Sequence, residues 1–201
     1  MNPADIYLVG LASGVVLLPI TSFRRLSPLW LKLLLVAAGC LLIIRYLMLG
    51  LPDPVAPPMG RWSAPFVRLT GAIGVTLPGI FAMDQLIRHP AMTPQKLLRW
   101  CAPLIALDLV TCWRIPLAML VQGAVGLGLA SACAMLGGKI PVPSIRKPLA
   151  ILGLAYGMWA AANLLIGLAT AIPLRWMLLA ELNLMLAVWH AFDMSATPQN
   201  S

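Results

Sequence analysis

Residues 149–193 read LAILGLAYGMWAAANLLIGLATAIPLRWMLLAELNLMLAVWHAFD, and the reading of this stretch decides the fold. It is apolar almost throughout and carries a single proline, Pro173. As one helix its 45 residues would extend roughly 67 Å at 1.5 Å per residue, about twice the hydrocarbon thickness of a bilayer. A turn near Pro173 is therefore required, giving two antiparallel helices at 149–172 and 174–193 that are each long enough to cross.

The rest of the chain has the same character. Of 201 residues, 61% are hydrophobic and 10% charged, against about 25% charged in an ordinary soluble domain. That leaves too little polar surface to cover a water-soluble particle, so a soluble single-core domain is excluded. Cutting the chain at its proline and charge clusters gives five more spans, at 5–23, 29–50, 63–87, 97–113 and 115–136. The expected fold is an all-α, polytopic transmembrane helix bundle of about seven spans, one domain over residues 1–201 with a short polar tail at 194–201. The span at 97–113 is short, contains Pro103 and carries Asp108. The first span is expected to stay in the membrane, because Arg24 and Arg25 follow it and no basic residue precedes it.

Basic residues orient the bundle. Alternate loops hold Arg24, Arg25 and Lys32, then Arg88, Lys96 and Arg99, then Lys139, Arg146 and Lys147, while the opposite loops hold Arg61, Arg114 and Arg175. Nine against three places the N-terminus outside and the C-terminus in the cytoplasm, in a bacterial-type inner membrane. Trp30, Trp100 and Trp189 then fall at inner span ends and Trp62, Trp113 and Trp176 at outer ends, where indoles prefer to sit. Trp159 lies deep in its span and is expected to pack the bundle or touch lipid. The net charge of +8 is thus accounted for by membrane orientation, and no nucleic-acid partner is expected. Cys40, Cys101, Cys112 and Cys133 lie in apolar stretches without metal-ligand spacing and read as small core residues.

Lipid gives helices no hydrophobic reason to associate, so small residues must let their backbones approach. Gly10 and Gly14, Gly153 and Gly157, and the row Gly123, Gly126, Gly128 and Ser131 provide such faces, and Gly71, Gly74 and Gly79 surround Pro78.

Ionisable groups inside a span cost about 2.5–3.5 kcal/mol each at its centre, so each needs a reason. Arg45, Arg68, Asp108 and Glu181 all fall about five to seven residues from the outer ends of their spans, roughly 7–11 Å deep. Gln122 lies at a similar level, with Asn163 and Asn183 about one turn deeper. Either Arg45 and Arg68 pair with Asp108 and Glu181 as a neutral lock between helices or snorkel outward, or the seven residues line a polar pocket in the outer half of the bundle. Asp84 stands four residues before Arg88, the spacing of a helical ion pair. His89 and His190 both approach the inner leaflet, where they could in principle hold a haem or a chlorophyll-type pigment, although a lone His beside Pro90 and one next to Trp189 more often belong to the interfacial belt.

No hydrolase, P-loop or dinucleotide-binding motif sits on a suitable element, and no intramembrane Ser/His or Asp pair occurs at matched depth. The chain is therefore not expected to be an enzyme. The leading expectation is a non-catalytic subunit that scaffolds or stabilises a larger inner-membrane assembly, with membrane lipids and other membrane subunits as partners and no cofactor of its own. The alternative is a small transporter or ligand receptor that uses the outer polar pocket.

Overall fold

The computed structural model describes residues 33, 36, 37, 40, 76, 79, 80, 82–84, 86, 87, 93–111, 114–168 and 174–196. These residues form an all-α structure. Four helices follow one another: α1 (Pro94–Thr111), α2 (Ile115–Lys139), α3 (Pro143–Gly167) and α4 (Leu174–Ala196). The described residues at 33–40 and 76–87 are helical as well. The span expected at 5–23 lies outside the described residues.

Proline starts these helices more than it breaks them. Pro94 opens α1, and the Thr93 hydroxyl oxygen accepts the Lys96 N–H at 3.4 Å, covering one of the donors that a first turn leaves open. Proline also stands in the first two positions of α2 and α3, where its missing N–H costs nothing. The sixth span was expected from residue 149, yet α3 begins at Pro143 and runs through Pro148. Arg146 and Lys147 therefore sit exposed on the opening turns of a helix and not in a loop. At the other end α3 stops at Gly167, short of the expected 172. Helix α2 reaches Lys139, whose charge suits the negative end of the helix dipole. Helix α4 continues to Ala196, so residues expected to start the polar tail are helical.

Two segments are long and apolar enough to cross a membrane, Leu117–Lys139 and Pro143–Gly167, each with mean hydropathy 1.8. They pack antiparallel along most of their length. Leu120 meets Gly167, Leu164 meets Gly123, Ala160 and Trp159 meet Gly126, and Cys133 meets Gly153. Of the expected small-residue faces, Gly123, Gly126 and Gly153 are thus inside the α2–α3 contact, whereas Gly128 and Gly157 have nothing within 4 Å of where a side chain would begin. The α1 and α2 helices are joined by residues 112–114 and the Arg114 N–H donates to the Thr111 carbonyl oxygen at 3.0 Å, so the end of α1 and the start of α2 share one end of the bundle. Helix α3 ends and α4 begins at that same end, called here the upper end.

The core joins Ala82 and Leu86, Cys101 of α1, Cys133 of α2, Leu149, Leu152, Tyr156 and Trp159 of α3, and Leu184, Val188 and Ala191 of α4. Trp159 is buried, so it packs the bundle. Cys101 and Cys133 are buried free thiols, whereas Cys40 is exposed and not a core residue. Large apolar side chains point outward from every helix, among them Leu98, Val110, Leu127, Met135, Leu154 and Leu186.

Candidate functional site

Six polar or charged side chains among the described residues are buried: Thr76, Asp108, Thr111, Gln122, Asn163 and Glu181. Helical rise places them. Asp108 lies three residues before the end of α1, Gln122 seven after the start of α2, Asn163 four before the end of α3 and Glu181 seven after the start of α4. At 1.5 Å per residue, all four are about 5–10 Å below the upper end. Thr76 belongs there too. Gly79 packs against Tyr156 and Met83 against Cys133, itself level with Gly153, so the 76–87 stretch descends as its numbering rises and Thr76 stands above Tyr156.

The α2–α3 register sharpens this layer. With Gly123 against Leu164 and Leu120 against Gly167, Gln122 stands opposite Leu165 and Asn163 opposite Ala124, so the two are within about 3 Å of one height. The Asn163 amide nitrogen donates to the Trp159 carbonyl oxygen at 2.8 Å, one turn back in the same helix. The Thr111 hydroxyl makes the equivalent bond to the Leu107 carbonyl oxygen at 2.8 Å. Gln122 and Glu181 are each engaged in an interaction as well. Glu181 is 1% exposed, and a carboxylate so enclosed requires such engagement, because desolvation without a partner is prohibitive.

Asn183 is placed differently. It is exposed, and its amide donates to the Leu179 carbonyl oxygen at 2.9 Å. Two residues along a helix turn the side chain by about 200°, so Glu181 and Asn183 cannot both face the core. Asn183 shares the outward face with Leu186, one turn on. Arg45, Arg68 and His89 lie outside the described residues. His190 is half-buried near the lower end of α4, and Asp84 is half-buried and engaged in an interaction.

Sequence reasoning gave Tyr156 no role, yet it is the hub of the middle of the bundle. Its ring is fully buried and meets Trp159 edge to face, with ring centroids 6.4 Å apart. Its hydroxyl rests against the backbone of Gly79. Nearby, the Cys133 thiol donates to the Met83 sulfur at 3.2 Å. The signal was legible in the spacing: Tyr156, Trp159 and Asn163 stand at i, i+3 and i+7, one face of one helix inside an otherwise apolar run. Among the described residues no group of three or more His, Cys, Asp or Glu side chains could hold a metal ion.

No protein family, no curated protein and no solved structure matches this chain.

Proposed function

We propose that this chain is a non-catalytic subunit of a larger assembly in a bacterial-type inner membrane, crossing the bilayer seven times with its N-terminus outside and its C-terminus in the cytoplasm. The observation that carries the proposal is the outward face of α2. Ala124, Gly128, Ser131, Met135 and Gly138 are all exposed there, at alternating intervals of four and three residues. That is the spacing of a seam that keeps facing one neighbouring helix. The space beside Gly128 and Gly138 is open to at least 4 Å. In lipid, such a face gains most from another helix, whose backbone it admits more closely than a leucine face would.

The distribution of buried polar groups supports the same reading. All six described ones lie in the upper half, and the described core below Tyr156 consists of groups such as Cys133, Leu152 and Leu149. A transport pathway would call for polar groups through both halves. The second reading, a small transporter or ligand receptor, is favoured by the upper layer of Asp108, Gln122, Asn163 and Glu181.

The test is native mass spectrometry of the full chain, purified from its own membrane in mild detergent, with and without Gly128→Leu. The expected result is a stoichiometric complex with a different membrane protein, lost in the variant while the thermal unfolding of the separated chain stays unchanged. A particle that contains only this chain, single or paired, and is indifferent to Gly128→Leu would overturn the subunit reading.

A further inference from the structure

Among the described residues, three buried polar atoms have no hydrogen-bond partner: the Tyr156 hydroxyl oxygen, Trp159 Nε1 and Asn163 Oδ1. All three belong to α3, and at i, i+3 and i+7 they fall within an arc of about 60° on that helix. Their residues are at most 1% exposed. Buried polar atoms in folded proteins are almost always paired, so three in one row call for an occupant.

The set has a definite hydrogen-bonding character. Asn163 Nδ2 already donates to the Trp159 carbonyl oxygen. A carbonyl oxygen only accepts, so the amide cannot be turned the other way and Oδ1 is fixed as the open acceptor. Trp159 Nε1–H is a donor and the Tyr156 hydroxyl is both donor and acceptor. None of the three carries a formal charge. Counted from the end of α3, Asn163, Trp159 and Tyr156 stand about 6, 12 and 16 Å down. Gln122 lies within about 3 Å of the level of Asn163, and Asp108 and Glu181 lie at similar depths on their own helices. One turn below Tyr156 the same face continues as Leu152 and Leu149, both fully buried. The polar column therefore begins near the upper end and stops at the middle of the bundle.

We infer that this face of α3 lines a binding pocket for neutral molecules that both donate and accept hydrogen bonds, with Asn163 near its mouth and Tyr156 as its floor. Water entering from the upper end has this chemistry, and a buried water commonly joins two to four otherwise unpaired groups. The hydroxyl or carbonyl of a lipid-borne molecule has it too. The pocket is independent of the subunit reading, since it concerns the inward face of α3 and not the outward face of α2.

The experiment uses the full wild-type chain, labelled with 15N-tryptophan and held in lipid nanodiscs. Trp159→Phe identifies the Trp159 indole signal. On transfer to deuterated water the Trp159 indole proton is expected to exchange as readily as those of the interfacial tryptophans, which establishes water as the occupant. A second measurement labels Asn163→Cys against Leu152→Cys, one with a charged water-soluble thiol reagent and one with an uncharged lipid-soluble maleimide. Labelling of Asn163→Cys by the charged reagent again points to water. Labelling by the maleimide alone, with the indole proton protected, means the pocket fills from the bilayer. An indole proton as protected as the mid-helix amides of α3, together with Asn163→Cys no more reactive than Leu152→Cys towards either reagent, would overturn the pocket.

Discussion

The hydroxyl of Tyr156 is seated on the backbone of Gly79, so that a methyl group at Gly79 would overlap the tip of the tyrosine ring. This contact holds the 76–87 stretch to α3 at the level where the buried polar groups give way to an apolar core. Gly79→Ala is expected to destabilise the protein by about 1–3 kcal/mol, as overpacking of a tight core does. Tyr156→Ala should cost about 3–5 kcal/mol, as truncation of a large buried ring does. The double variant should lose less than the sum of the two, because the smaller side chain vacates the space the new methyl needs. Thermal unfolding of the four proteins in one detergent measures the coupling. Strict additivity would show that the two positions do not touch.

Gly126 and Gly128 are two residues apart on α2 and have opposite surroundings. A side chain at Gly126 would come within 2.9 Å of both Ala160 and Trp159, whereas one at Gly128 would meet nothing within 4 Å. Gly126→Ala should therefore force α2 away from α3 and lower the melting temperature. Gly128→Ala should leave it unchanged or raise it slightly, since alanine is favoured over glycine in a helix by about 1 kcal/mol. Equal effects of the two substitutions would contradict the α2–α3 contact described here.

Much of this arrangement could be read from residue types, and the failures have physical causes. The division of 149–193 into two helices follows from length alone, and α3 and α4 do separate between Gly167 and Leu174. The starts of α2 and α4 match the expected 115 and 174, whereas α3 starts six residues before the expected 149 because Pro143 and Lys147 look like loop residues. A proline in the first turn loses no hydrogen bond, and basic side chains on an opening turn can reach water. The small-residue row on α2 reads as one stripe in the sequence, but Gly123 and Gly126 point at α3 while Gly128 and Ser131 point away. Depth along a span carries no information on rotation about it, so Asn183 matches Glu181 in depth although the helix turns them to opposite sides. Tyr156 escaped because a single tyrosine in an apolar run is unremarkable until its neighbours are known.

The contrast between Glu181 and Asn183 makes a third prediction. Glu181 is buried and engaged, so Glu181→Ala strips a buried group from its partner and should cost about 1–3 kcal/mol or more. Glu181→Gln keeps the shape and much of the hydrogen-bonding capacity and should cost less. Asn183 bonds only to its own helix among the described contacts and faces outward, where leucine is the better residue in lipid. Asn183→Leu should leave the melting temperature unchanged or raise it. Destabilisation by Asn183→Leu comparable to that by Glu181→Ala would return Asn183 to the buried polar set.

The proposed orientation makes a prediction for the two short connections that flank α2. Arg114 precedes it, and the turn at 140–142 follows it between Lys139 and the Arg146–Lys147 pair, with Arg114 and Pro141 both exposed. A basic excess holds a connection on the cytoplasmic side, so the turn at 141 should lie inside and position 114 outside. In intact cells a membrane-impermeant thiol reagent should label Arg114→Cys and spare Pro141→Cys, with both labelled once the membrane is opened. The reverse pattern would invert the whole bundle and place the buried layer of Asp108, Gln122, Asn163 and Glu181, with the mouth of the α3 pocket, towards the cytoplasm. Labelling of both positions in intact cells would mean that α2 does not cross, against its 23-residue apolar segment from Leu117 to Lys139, and would remove the seven-span topology on which the subunit reading stands.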